Sequence, residues 1–547
     1  MPVKMYNSSR FFNILKKLLN KVSMIPLNKK VLCIRLLLIS FILLGGGLRL
    51  FELTSRPFVA DEGISTMAAI DIYKTGYPPT TPGDVVYWRS VFHTSSMAIF
   101  FQFLGISVFV ARLPSVIAGT LTILLIYYFG KELMNWKVGL IAAFLLSVNT
   151  LAIDLSREAR MYAFFQFFYL LSLYFFYKGF EVKEGKTLRL FNDRIKIENI
   201  RPFYIVSSFG VFLISFLCHQ GTAVLILGII GYAVVMSVIL RKKDPTSVVY
   251  LDKYLLLLLL SIIIIIAGIL MITLTDYGQK FPSLTSYLSI NLGAIKTSIV
   301  YNGFYFIQNF PIEWCFATLG LFLILRNRRK NEFFLMLSFL VPLVFQLLFF
   351  HFTFIGYKYI FHLIPLFIIL SAYGIYEVAR YLRAFEYLRV HLNIIPRLFC
   401  IFLCVLIIFA GFSYAYFSTH RGKMASPYWR EACEYVLINS KNDTSLIASV
   451  GIIPYFFLES DEYGLRPEYP EYAHKNITIY DRPYLHTRED LENFTRTHDN
   501  GWILIDMDRW NWEEVITEDA KMYLQENMTY HPYKYHGYLF IYSWGYD

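Results

Sequence analysis

The chain has 547 residues, 56% of them hydrophobic and 17% charged, with a formal net charge of +11. Together with a mean hydropathy of +0.47, this excludes an ordinary soluble domain and points to an integral membrane protein. The charge is not a nucleic-acid signature: basic residues are scattered between apolar runs, and 419–547 carries 12 Lys and Arg against 21 Asp and Glu.

That segment is therefore at −9 and the remainder at +20, the split expected when basic loops face the cytoplasm and an acidic unit lies outside. Six cysteines are present, and only Cys433 falls outside or away from apolar stretches. Neither a disulfide framework nor a CxxC zinc site follows from that pattern.

A basic lead of 30 residues (1–30) is too long for a cleavable signal, and no small-x-small site follows the first apolar run. That run, 31–51, is expected to remain as a span. Lys16, Lys17, Lys21, Lys29, Lys30 and Arg35 place the N-terminus inside and the next loop, 52–112, outside. This loop carries Arg56-Pro57-Phe58-Val59-Ala60-Asp61-Glu62-Gly63, with two adjacent carboxylates in a stretch too polar for the bilayer. Neighbours in an extended loop point to opposite sides, so a shared-proton dyad is not expected. One carboxylate suffices to take the proton of an attacking hydroxyl in an inverting transfer. Two solvated loop acids are the plainer alternative.

The stretch 92–110 is moderately apolar but interrupted by His93, Thr94, Ser95, Ser96 and Gln102. Reading it as an interfacial or re-entrant helix keeps every later basic loop on one side of the membrane. Arg89 and His93, four apart, would share a face of that helix and can bind sugar or phosphate, or lie against headgroups.

Further spans are expected near 113–130, 138–153, 160–177, 203–218, 222–240, 254–274, 305–325, 332–350, 358–379 and 397–417. They complete a transmembrane unit of about eleven spans over 31–418. Arg112, Arg157, Glu158, Arg160, His219, Gln220, Asp276, Lys280, His351 and Lys358 then collect at the outer face. Arg157 and Arg160, three apart, fall on one helical face where they can hold a phosphate or pair with acids of the first loop. His219 and Lys358-Tyr359 lie at membrane edges, where Lys358 is placed to meet a lipid phosphate. No His/Cys cluster with metal-ligand spacing occurs. A divalent cation would need carboxylates that the sequence does not single out.

From 419 to 547, short apolar runs alternate with helical stretches, which predicts a small extracytoplasmic α/β domain. Its four Asn-x-Thr sequons, at Asn442, Asn476, Asn493 and Asn527, agree with that side.

Asp61-Glu62-Gly63, Gly76-Tyr77-Pro78, Tyr87-Trp88-Arg89 and His93 resemble the first outer loop of the GT-C membrane glycosyltransferases. The branch they resemble is that of the prokaryotic protein O-mannosyltransferases and aminoarabinose transferases, family 39. Ala111-Arg112-Leu113-Pro114-Ser115 and Ser156-Arg157-Glu158-Ala159-Arg160-Met161-Tyr162 are similar to the same branch, and the match is best over 50–180. Two motifs depart from it: His93-Thr94-Ser95 stands where eukaryotic members have His-Pro-Pro, and Lys358-Tyr359 replaces a late Arg-Tyr.

The resemblance implies a GT-C-like fold and a polyprenyl-phosphate-linked sugar donor taken from the outer leaflet. It implies a protein, glycan or lipid acceptor and Asp61 as base within the Asp61-Glu62 pair. Substrate contacts would come from Arg89, His93, Arg112, Arg157, Glu158, Arg160, His219, Lys358 and Tyr359. A transporter or lipid flippase is the competing class. Such proteins place ionisable residues near the bilayer midplane on related halves, and neither feature is legible here.

Overall fold

The computed structural model describes residues 29–55, 58, 60–77, 80–81, 85–86, 90–181, 185–190, 195–243, 253–274, 295–296, 299, 309–349 and 357–384 in its first part. Beyond these it describes 429–440, 446–449, 463–465, 484–511, 513, 516–532 and 539–546. Arg89, Asp276, Lys280, His351 and the stretch 397–417 lie outside the described residues, as do the sequons at Asn442 and Asn476.

The first part is helical. It comprises α1 (Lys29–Leu50), α2 (Ala60–Thr75), α3 (Val91–Leu104), α4 (Val108–Leu133), α5 (Trp136–Val148), α6 (Thr150–Ser156) and α7 (Tyr162–Phe180). After a hairpin of β1 (Lys186–Leu190) and β2 (Ile195–Ile200) come α8 (Pro202–Cys218), α9 (Val224–Lys243) and α10 (Lys253–Leu274). α11 (Pro311–Asn327), α12 (Lys330–Phe349) and α13 (Ile364–Ala384) follow, α13 being led in by the turns Tyr357–Ile360 and Phe361–Leu363.

Among the described residues, helices thus occupy the expected spans. By length and composition, 5 of them can cross a membrane among the described residues, or 6 if α5 and α6, bent by 58°, form one broken span. Helices α7 and α8 pack side by side, as do α4 with α5 and α11 with α13.

Two sequence expectations change. The stretch expected to be interfacial is a helix only over Val91–Leu104. It ends at Gly105, whose φ of +78° suits glycine, and α4 has begun by Val108. Its 14 residues are too few to cross a hydrocarbon core of about 30 Å. The acid pair is not in a loop: Asp61 and Glu62 occupy the first turn of α2, where negative side chains oppose the positive end of the helix dipole.

Toward the C-terminus, α14 (Trp429–Asn439) precedes a six-stranded sheet. Its strands are β3 (Leu446–Ser449), β4 (Tyr463–Leu465), β5 (Tyr484–Leu485), β6 (Gly501–Asp506), β7 (Thr529–Tyr530) and β8 (Leu539–Trp544), in the order β5-β4-β3-β6-β8-β7. β3 to β6 pair in parallel, while β8 runs antiparallel to both β6 and β7. Helices α15 (Arg488–Thr497) and α16 (Glu518–Asn527) accompany it, α15 opening with a Thr487/Asp490 capping box.

Side chains alternate along β6 as strand geometry requires. Ile503 and Ile505 join a core with Leu491, Phe494, Ala520 and Leu524. Trp502 and Leu504 join a second core with Trp429 and Cys433 of α14, Met67 and Ile70 of α2, and Met97 and Phe101 of α3. The sheet therefore shares one of its cores with the helix that carries Asp61.

Close approach of α11 and α13 depends on glycine. A Cβ on Gly320 would lie 2.6 Å from the Leu370 carbonyl oxygen, and one on Gly374 would collide with that of Phe316. Gly374→Ala should therefore lower stability in detergent by about 1–3 kcal/mol, the usual range for overpacking. Thermal unfolding of purified protein reads this, and an unchanged midpoint would contradict the packing described.

Candidate functional site

The site is built around one buried ion pair. Arg112, in the first turns of α4, donates Nε and Nη2 to Glu62 Oε1 and Oε2, both at 2.8 Å. Both side chains are fully buried. Arg112 Nη1 donates to the Leu53 carbonyl at 2.7 Å, and the Ala159 amide donates to Glu62 Oε1 at 2.7 Å. Four chain segments thus meet at one bidentate contact: the turn after α1, the start of α2, the start of α4, and the bend between α6 and α7. Removing one partner of such a pair leaves an uncompensated buried charge, a loss of about 3–5 kcal/mol.

Asp61 is held differently. Arg160 donates Nη1 to the Asp61 carbonyl at 2.9 Å and to Ser65 Oγ at 2.8 Å. Its Nη2 lies 3.7 Å from Asp61 Oδ2, and the Asp61 side chain is 53% exposed. The backbone of Asp61 is fixed while its carboxylate stays open to solvent, beside a cation but without a short hydrogen bond to it.

The segment carrying Arg157, Glu158 and Arg160 is a bend, not the expected helical face: α6 ends at Ser156 and α7 begins at Tyr162. The two arginines consequently diverge. Arg157 Nη2 donates to the carbonyls of Phe51 and Glu52, at 2.8 and 3.0 Å, bracing the turn after α1. Arg160 turns to Asp61. Glu158 pairs with Lys358, Nζ lying 3.6 Å from Oε2.

Tyr162 lies between these pairs, with Arg160 and Lys358 centred 5.9 and 5.7 Å from its ring, inside the reach of a cation–π contact. His219 lies 6.2 Å from Tyr162 and 6.0 Å from Tyr359, stacked on Phe165 at 4.7 Å. Its Nδ1 accepts the Gly221 amide at 2.9 Å.

Of the residues singled out from sequence, Asp61, Glu158, Arg160, His219, Lys358 and Tyr359 come together around Tyr162. Glu62, Arg112 and Arg157 brace the segments behind them. His93 is fully buried on α3. Ser115 Oγ donates to the Arg160 carbonyl at 3.0 Å, so at 3.2 Å His93 Nε2–H donates to Ser115 Oγ. His93 therefore steadies Arg160 from behind. Tyr162, Ser65 and Ser115 were not singled out. Tyr162 and Ser115 had a legible signal, since each closes one of the motifs quoted above; Ser65 had none. Among the described residues no group of three or more His, Cys, Asp or Glu converges to hold a metal ion.

Comparison with known proteins agrees with this architecture. Residues 91–266 match the family model described as dolichyl-phosphate-mannose-protein mannosyltransferase. No curated protein matches the chain. The crystal structure of ArnT from Cupriavidus metallidurans bound to undecaprenyl phosphate superposes with a TM-score of 0.57 at 12% identity, over 92% of this chain and 97% of ArnT. The oligosaccharyltransferase AglB from Archaeoglobus fulgidus, in complex with an inhibitory peptide and a dolichol-phosphate, gives 0.55 at 14% identity, over 93% and 74%. The chain therefore shares its fold with ArnT and AglB, and 91–266 is similar to the protein mannosyltransferase family.

Burial, and secondarily the charge of Arg160, pushes the His93 imidazole down to about 3; α3 is too short to be a span. An unfolded His93 protonates near its ordinary pKa of about 6.5, so the unfolded state binds the extra proton below that pH. Stability is then complete above pH 6.5 and falls on acidification, by about 2 kcal/mol at pH 5 from this residue alone. Unfolding midpoints at pH 7 and pH 5 should accordingly differ less for His93→Gln than for the unsubstituted protein. Equal differences would contradict the buried neutral imidazole.

Proposed function

We propose that the protein is a glycosyltransferase that moves a sugar, a hexose such as mannose or a similar one, from a polyprenyl-phosphate donor to a hydroxyl of a protein, glycan or lipid acceptor. The observation that carries this reading is the half-exposed carboxylate of Asp61 beside Arg160, with Lys358 against the same Tyr162 ring. The family model and the ligands named with ArnT and AglB support the donor class.

In this reading Asp61 takes the acceptor hydroxyl proton as that oxygen bonds to the anomeric carbon. The bond from that carbon to the phosphate oxygen breaks, its electron pair staying on the phosphate. Polyprenyl phosphate leaves, and its charge changes from about −1 as a diester to roughly −2 as a monoester. Arg160 is placed for both halves of that change. As Asp61 is neutralised by its proton, the negative charge next to Arg160 reappears on the leaving phosphate, so its favourable field is kept throughout.

Around Tyr162, Arg160 stands by Asp61 and Lys358 by Glu158, which sets two cations where a phosphate would lie. Glu62, Arg112, Arg157 and His93 act as positioning residues. His219 and Tyr359 stand beside Tyr162, where a sugar can stack or hydrogen-bond.

The site faces the extracytoplasmic side of the cell membrane in this account, with the N-terminal segment cytoplasmic and 419–547 outside as an acceptor-proximal domain. Basic loops and sequons support that orientation.

Sugar transfer by reconstituted protein tests the base. Asp61→Asn keeps shape and removes the proton acceptor. Turnover should fall by about 10²-fold or more, with polyprenyl-phosphate binding retained. Unchanged turnover would remove Asp61 from the centre.

A further inference from the structure

The last turn of α1 carries a charge of a different kind from those around Tyr162. Arg49 stands there, where an arginine ordinarily snorkels to the headgroups. Instead it is fully buried. Its Nη1 donates to the Gly45 carbonyl at 2.9 Å and to that of Ser147, in the last turn of α5, at 3.5 Å. Its Nε donates at 3.3 Å to Ser156 Oγ at the end of α6, a hydroxyl whose own proton goes to the Ala152 carbonyl. Gly119 of α4 leaves room for this: a Cβ there would lie 3.1 Å from Arg49 Nε and collide with the Ser156 side chain. Among the described residues no carboxylate is within ion-pair distance of Arg49.

A buried ion without a counter-ion is costly, and inside a membrane span such a residue is retained for a function. The carbonyl end of α5 offers at most about half a unit of negative charge. A neutral side chain would brace these helices at lower cost, so bracing alone does not account for a guanidinium. The frame of the site lies directly beyond. Arg157 follows Ser156 in the chain, and Phe51 and Glu52, whose carbonyls take Arg157 Nη2, follow Arg49. Arg160 and Lys358 each have a carboxylate alongside; Arg49 does not.

We propose that Arg49 is a fixed charge whose counter-ion arrives with the substrate, as the phosphate of the lipid-linked donor. This rests on the donor reading above and adds a residue to it. Arg49 does not touch the phosphate. It acts across the frame, where low polarity and weak screening let a charge reach beyond contact. At an effective dielectric of about 20, a unit charge ~12 Å from a monoanion changes its affinity about tenfold. The pull is stronger on the departing monoester, whose negative charge is larger, so the same residue favours release of the phosphate from the anomeric carbon.

The test is the affinity of full-length protein in nanodiscs for a polyprenyl monophosphate, with the matching neutral polyprenol as control. Arg49→Gln should bind the monophosphate about tenfold more weakly or worse, and the polyprenol as the unsubstituted protein does. Arg49→Lys keeps the charge but loses the planar fork of donors, so it should weaken monophosphate binding by less than about threefold. The deficit of Arg49→Gln should also persist between about 0.1 and 1 M salt, because a buried charge is little screened, whereas that of a headgroup-facing cation fades.

An Arg49→Lys loss as large as that of Arg49→Gln, or equal weakening of phosphate and polyprenol, would overturn the charge role and leave Arg49 a brace, with the donor reading intact. Failure of the unsubstituted protein to prefer the phosphate over the polyprenol would instead overturn the donor reading, and this inference with it.

Discussion

The buried bidentate contact of Glu62 with Arg112 is the constraint on which the rest of the site depends. It closes a loop of contacts from the end of α1, through the first turn of α2 and the start of α4, to the bend before α7. Two fully buried charges are stable only as a hydrogen-bonded pair, so these segments have one arrangement available to them. Asp61 is the neighbour of Glu62 in sequence and inherits that position. One carboxylate of the adjacent pair is fully buried and bonded, and the other projects into the site.

A division of labour among the cations follows. Arg112 and Arg157 end on carbonyls and a buried carboxylate and keep the backbone in place. Arg160 and Lys358 both stand within 6 Å of the Tyr162 ring centre, paired at longer range with Asp61 and Glu158. Short hydrogen-bonded pairs build the frame. The shared core of α2, α3, α14 and the sheet links this frame to the C-terminal part of the chain.

Much of the helical architecture was legible because apolar runs of span length have few alternatives in a chain this hydrophobic. The helix at 60–75 was not, because Asp61-Glu62-Gly63 reads as a polar turn. Dipole compensation and burial of Ser65 through Ile70 override the glycine. The bend at Arg157–Met161 was hidden for the opposite reason: its residues are mostly good helix formers, and only tertiary partners explain the break. Arg157 reaches the turn after α1, Ala159 gives its amide to Glu62, and Arg160 reaches Asp61. The acids and cations of the site were therefore legible as residue types in order. Which of them frame it and which face a substrate depends on contacts between residues about 50 to 200 positions apart, which local sequence does not encode.

The most direct measurement of the central claim, a single displacement served by one base at Asp61, is the anomeric configuration of the transferred sugar. It is read by NMR of the isolated product against a donor of known configuration. Attack by an acceptor oxygen activated at Asp61 predicts inversion in one step. Retention, which would require a covalent glycosyl-enzyme and a second carboxylate acting as acid and base, would contradict the account.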